Sequence, residues 1–129
     1  MSRVKFLTGS IKLDLQSFGL NIISKNEYLM KMFPYLAKKQ VIYDFDTYNK
    51  TISYKNFINE LQNYCCCYDC EIEIVTLWET ENEAEIQEFN VNPQIIKIEQ
   101  FDDSKKYELI YKLENDCLNP STSYLLKKE

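Results

Sequence analysis

Apolar residues along this chain of 129 residues recur at two spacings, one of strands and one of helices. Residues 4–8 and 11–15 alternate apolar and polar positions, the period of a half-buried strand. Gly9-Ser10 between them fits the two-residue type II′ turn of a hairpin. Ser24, with Glu27 three residues on, has the capping-box spacing, and Tyr28, Leu29, Met32, Phe33, Leu36 and Ala37 follow at helical intervals. Pro34 lies inside that run, which predicts a kink or split just before it. Residues 41–46 read as a strand with Val41, Tyr43 and Phe45 on one face, and residues 47–50 as a turn. Ser53 is placed as an N-cap for a second helix. Tyr54, Phe57, Ile58, Leu61, Tyr64 and Cys65 then keep the i, i+3, i+4, i+7 pattern of an amphipathic helix.

The C-terminal half reads as strands. Residues 71–79 alternate, with Ile72, Ile74, Thr76 and Trp78 on one face and Glu71, Glu73, Val75 and Leu77 on the other. Residues 80–83 fit a hairpin turn returning along 84–91; the same residues also fit a capping box opening a short helix. The strand-like Phe89-Asn90-Val91 favours the hairpin. Pro93 breaks the pattern. Residues 95–101 and 106–113 flank a polar turn at 102–105, with Tyr107, Leu109, Tyr111 and Leu113 sharing one face, and 115–129 shows no strong pattern. The expected architecture is a single α+β domain over 1–129. Its antiparallel sheet, a C-terminal meander plus an N-terminal hairpin, packs against two helices.

Composition narrows the chemistry. The chain has eighteen aromatic residues, ten Tyr, seven Phe and one Trp, enough for a core without a metal or disulfide staple. Two glycines, Gly9 and Gly19, cannot write a G-x-G-x-x-G or a P-loop. There is no His, which rules out Ser-His-Asp and Cys-His catalysis and any two-His zinc site. The first residues carry no apolar signal core, and no stretch of 18 apolar residues exists to span a membrane. Five cysteines, four of them crowded at Cys65, Cys66, Cys67 and Cys70, are poorly placed for disulfides and point to a reducing, cytoplasmic setting.

Cys67-Tyr68-Asp69-Cys70 is a C-x-x-C. As half a zinc site it needs two more ligands, which Cys65, Cys66, Cys117 or carboxylates would supply; as a redox pair it follows a helix and precedes a strand, the reverse of the thioredoxin-like context. The simpler reading makes Cys65 part of the apolar helix face and its neighbours small hydrophobes. Asp44-Phe45-Asp46-Thr47 after an apolar strand resembles the opening motif of haloacid-dehalogenase-like phosphatases over four residues. Thr stands one position early and the chain is short for that fold, so no activity is carried over. Glu71-Ile72-Glu73 lacks the Lys that completes a restriction-type nuclease core.

Charge is unevenly placed. Residues 1–68 carry nine Lys/Arg against five Asp/Glu, whereas 69–103 carry eleven acidic groups against Lys97 alone, a net charge of −10 within a chain of net −5. Such a segment attracts a basic partner and repels nucleic acid and anionic membrane. Glu79, Glu81, Glu83, Glu85 and Glu88 are the first candidate contact cluster, and Asp102 and Asp103 the second. The expected function is a protein-binding inhibitor, not an enzyme and without a cofactor. Examples are a toxin-immunity protein or a mobile-element or phage anti-defence protein. It would block a basic nuclease or nucleic-acid-guided effector without touching nucleic acid or membrane. The alternatives are a metal- or thiol-dependent domain at residues 65–70 and a structural subunit of a larger assembly. Of the tyrosines, Tyr28, Tyr54, Tyr64, Tyr107 and Tyr111 fall on expected core faces, and Tyr48, Tyr68 and Tyr124 are the candidates for exposed contacts.

Overall fold

The computed structural model describes residues 2–45, 52–79 and 91–129. Strands β1 (Ser2–Gly9) and β4 (Ile72–Glu79) pair antiparallel along their whole length, from Ser2 opposite Glu79 to Gly9 opposite Ile72. Both are apolar on both faces, so they take the centre of the sheet. Leu7, Ile72 and Ile74 face one core while Phe6, Val75 and Leu77 face another. β2 (Asn21–Ile23) and β3 (Val41–Asp44) extend the sheet beside β1. β5 (Asn92–Lys97) and β6 (Thr122–Lys127) extend it beside β4. The order is β2-β3-β1-β4-β6-β5, antiparallel except for the parallel pair β5–β6. With the helices α1 (Glu27–Met32), α2 (Tyr54–Tyr68) and α3 (Asp103–Glu114) this is an α+β fold with an open sheet.

Helix α2 forms where its periodicity predicts. Ser53 accepts a hydrogen bond from the Asn56 N–H, and Phe57, Ile58, Leu61 and Cys65 are buried against the sheet. Each of the three larger side chains contributes roughly 2 kcal/mol of transfer free energy. Helix α3 lies beside it, burying Leu109 and Leu113 in the same core. On the opposite face Leu29 and Phe33, at the end of α1, pack with Leu36 on Phe6, Ile42 and Val75. Pro34 does split this segment as its missing N–H requires: α1 ends at Met32, Phe33 leaves the helical region, and Pro34 opens a 3-10 turn, Pro34–Lys38. The cap of α1 is Asn26, whose side chain accepts from the Leu29 N–H, and not Ser24.

Several expectations are corrected. Residues 11–15 are not a strand, and no hairpin turns at Gly9-Ser10. A type II′ turn needs positive φ at its first position, and among glycines only Gly19 has it. Leu13 and Leu15 are buried as the alternation implied, but the Tyr43 hydroxyl serves the Leu13 backbone in place of a strand, accepting from its N–H and donating to its carbonyl. Residues 106–113 are helix, not strand. The Asp102 carboxylate accepts from the Lys105 N–H and starts α3, so Leu109 and Leu113 are buried as an i, i+4 pair while Tyr107 and Tyr111 face solvent. The expected C-terminal meander is therefore a β5–α3–β6 unit whose helix crosses between parallel strands. Pro93 lies inside β5, tolerated because β5 is an edge strand. The patternless tail contains β6. The turns expected at 47–50 and 80–83 and nearly all of the return strand expected at 84–91 lie outside the described residues. None of the described helices is long and apolar enough to cross a membrane.

Candidate functional site

The most concentrated chemistry among the described residues surrounds one carboxylate. Glu73 sits on β4 between Thr8 of β1 and Leu125 of β6, and its side chain is 2% exposed. A carboxylate there is costly unless it is bonded. Tyr35 donates its hydroxyl hydrogen to Oε2 at 2.6 Å and Ser123 donates to the same oxygen at 2.7 Å. Thr8 donates to Oε1 at 3.3 Å, and the Lys39 ammonium stands 3.2 Å from Oε1. Lys39 also lies 4.6 Å from the centre of the Tyr35 ring. Three hydroxyls and one cation thus converge on two oxygens, the arrangement that offsets desolvation of a buried charge. Burial, and then the bond to Glu73, raise the Tyr35 hydroxyl above its ordinary pKa. Burial alone would lower Lys39, but the charge and hydrogen bond of Glu73, together with Tyr35, outweigh it and its pKa is raised.

Beside this group opens a cleft of about 190 Å³ bordered by Ser10, Lys38, Gln40 and Glu71. Ligand pockets run to roughly 300 Å³ and more. The Thr8, Tyr35 and Ser123 hydroxyls and the Lys39 ammonium all engage Glu73, which makes the cluster a clamp joining the Pro34–Lys38 turn to three strands. Glu73 therefore leaves the pool of surface charge to which its sequence context assigned it. No signal in the local pattern marked it, because its partners lie 34 to 65 residues away.

The other face of β1 holds a second buried ion. Lys5, beside the Phe45 ring, bonds Asp116 at 2.9 Å, and Arg3 donates to the Leu118 carbonyl. Burial lowers the Lys5 ammonium, and the bond to Asp116 offsets only part of that.

The cysteine cluster is divided by its helix. Cys65 and Cys70 are buried and Cys66 and Cys67 exposed, and the five cysteines are free thiols. Cys65 donates toward the Leu126 carbonyl and Cys70 toward that of Tyr64. Burial pushes the Cys65 thiol up to about 12 and raises Cys70 as well, the opposite of what a nucleophile or metal ligand needs. Among the described residues no group of three or more Cys, Asp or Glu could hold a metal ion. Cys65 and Cys70 thus pack in the core as small hydrophobes, whereas Cys66 and Cys67 face solvent and do not pack as the simpler reading expected.

The described acidic candidates, Glu79, Asp102 and Asp103, lie on different elements. Glu79 is exposed at the last position of β4, and Glu81, Glu83, Glu85 and Glu88 lie outside the described residues. Asp102 is the N-cap of α3 and Asp103 its first residue, both exposed. Because β5 runs antiparallel to β4, these two follow β5 toward the opposite end of the sheet from Glu79. Asp69, Glu71 and Glu99 are also exposed.

The tyrosines redistribute. Tyr54 and Tyr64 pack on the core as expected, whereas Tyr28, Tyr107 and Tyr111 are exposed. Tyr68 is exposed, Tyr124 is half-buried and accepts from Lys112, and Tyr48 lies outside the described residues. Tyr107 and Tyr111 stack with ring centres 6.5 Å apart and planes 28° apart. The period-2 reading of 106–113 hid them; the i, i+4 spacing of Leu109 and Leu113 was the signal that would have found them.

The chain matches no protein-family model, no curated protein and no solved structure at a significant level.

Proposed function

We propose that this chain is a protein-binding inhibitor that occupies the basic surface of a partner, and that it is not a catalyst. The observation that carries this reading is the net charge of −10 over residues 69–103. Of the seven acidic side chains there that the structure describes, Glu73 is buried and bonded inside the fold. Asp69, Glu71, Glu79, Glu99, Asp102 and Asp103 are all exposed. A surface of this sign accelerates encounter with a basic protein and disfavours nucleic acid. The partner class that fits is a nuclease or nucleic-acid-guided effector, whose cleft is basic because it holds phosphates. A toxin-immunity protein or a mobile-element or phage anti-defence protein would work in this way, in the cytoplasm. Glu79, Glu81, Glu83, Glu85 and Glu88 are the leading contact residues of this proposal.

The test is a pull-down from host lysate at low and high salt, followed by titration of the purified partner with the wild type and with Glu81→Lys/Glu83→Lys/Glu85→Lys. A basic partner bound at low salt and shed at high salt, with weaker affinity and a shallower salt dependence for the triple variant, supports the reading. A partner held equally at both salts, with unchanged affinity for the variant, refutes it.

A further inference from the structure

The outward face of α3 combines features that helix stability does not explain. Tyr107 is 71% exposed and Tyr111 52% exposed, and their rings stack one turn apart. Asp103 stands one turn before Tyr107, and Glu114 three residues after Tyr111, on the same side of the helix. The three lysines of α3 lie away from this face, Lys105 bordering β5 with Gln94 and Ile95. Lys106 donates to Asn59 and lies near the Phe101 ring, and Lys112 donates to Glu108 and to the Tyr124 hydroxyl. Asp103, in the first turn, suits the helix dipole, but Glu114, in the last, opposes it. Two exposed aromatic rings flanked by carboxylates, with the local cations turned aside, form a surface complementary to a planar cation.

We infer that the Asp103–Tyr107–Tyr111–Glu114 face of α3 is a docking surface for an arginine-bearing basic segment of a protein partner. The inference rests on the reading of the chain as an acidic protein binder and adds to its leading contact segment, residues 79–88, a second contact surface. Arginine is favoured over lysine because its guanidinium stacks on an aromatic face and meets a carboxylate through two parallel N–H donors, whereas an ammonium is a compact, strongly hydrated point charge. Along the helix axis the two carboxylates are separated by roughly 16 Å, so an extended segment with arginines about five residues apart would reach both across the tyrosine pair.

The experiment titrates the full ¹⁵N-labelled chain with short capped oligoarginine and oligolysine peptides of equal length at low salt, following the amide spectrum. The expected result is a set of shifts centred on residues 103–114, with oligoarginine bound about threefold more tightly than oligolysine. Tyr107→Leu/Tyr111→Leu should erase that preference while leaving the weaker charge-driven binding. Should the leucine pair lose helix content, Asp103→Asn/Glu114→Gln is the second variant, and it should weaken both peptides. An arginine preference that survives in the leucine pair overturns the assignment, as does a concentration-dependent dimer that the leucine pair abolishes, which would make a second copy the occupant. Shifts centred on residues 79–88 would overturn the α3 assignment and leave the acidic-binder reading standing. Absence of shifts with either peptide would remove both.

Discussion

The Tyr35 hydroxyl reaches 2.6 Å across from the turn after α1 to Glu73 on the central strand, so a loop and the middle of the sheet share one hydrogen bond to a buried charge. Replacing Glu73 with Leu leaves three hydroxyls and Lys39 without their acceptor. It should cost about 3 kcal/mol or more in urea unfolding, read from the single tryptophan, Trp78. Glu73→Gln retains an acceptor oxygen and should cost less, and Tyr35→Phe should cost roughly 1.5–3 kcal/mol. Equal stability of wild type and Glu73→Leu would show that the clamp contributes nothing.

Thiol accessibility follows from the burial pattern of the cysteines. In the native protein a colorimetric thiol reagent should titrate Cys66, Cys67 and Cys117, and unfolding should release Cys65 and Cys70. Rapid reaction of all five in the folded state would contradict the packed positions of Cys65 and Cys70.

Alkaline stability depends on the same buried thiol. Cys65 rises from an ordinary 9.0 to about 12, so the folded state holds its proton where the unfolded state has lost it. A group raised in this way stabilises fully below its unfolded value and loses that contribution as pH climbs to the folded one. Stability should therefore fall between about pH 9 and 12 in reducing buffer, and Tyr35 and Lys39, also raised, add to the loss above pH 10. Lys5, which is lowered, acts in the opposite sense as its charge disappears. The fall from pH 8 to pH 10 should be smaller in Cys65→Ala; an unchanged slope would count against the thiol as its source.

The cap of α3 separates a structural from an interfacial role for Asp102. Asp102→Ala should lower stability by about 1 kcal/mol, whereas Asp102→Asn retains a capping oxygen and should stay near wild type. If Asp102 also contacts a partner, Asp102→Asn lowers affinity without lowering the melting temperature.

Helical burial in α3 makes a further prediction that a strand would not. Leu109→Ala and Leu113→Ala should each cost roughly 2–4 kcal/mol, and Tyr107→Ala well under half of that, because the leucines are 1% exposed and the tyrosine is on the surface. Similar losses at all three positions would favour the alternating pattern.

How far the sequence reveals this fold depends on whether one spacing fits alone. Residues 54–65 fit only the helical period and carry a Ser cap, and residues 72–79 have apolar side chains on both faces, so α2 and β4 were legible. Residues 107–113 satisfy both periods at once, since Leu109 and Leu113 are four apart and also alternate with Tyr107 and Tyr111. Asp102 decides between them through a bond to its own helix that a polar turn disguises. β6 was illegible because Ser123 fills a buried position whose polarity makes sense only beside Glu73, 50 residues earlier. Glu73 misled for the same reason: its acidic neighbours suggested a surface, and its partners are remote in the chain. The acidic bias of 69–103 is plain in the sequence, while the tyrosine face of α3 exists only once 103–114 is a helix.

The position of β6 between β4 and β5 also bears on the order in which the chain acquires its structure. During vectorial synthesis β1, β3 and β4 leave the ribosome early enough to pair with one another. β5 emerges before β6, the strand it pairs with among the described residues, and waits through the whole of α3 for it. The sheet is completed by insertion of a late strand into an interior slot, a non-local step of the kind that slows folding. Until that insertion, the free edge of β4 and the apolar underside of α3 are open together, and this interval is when the nascent chain most needs protection from aggregation.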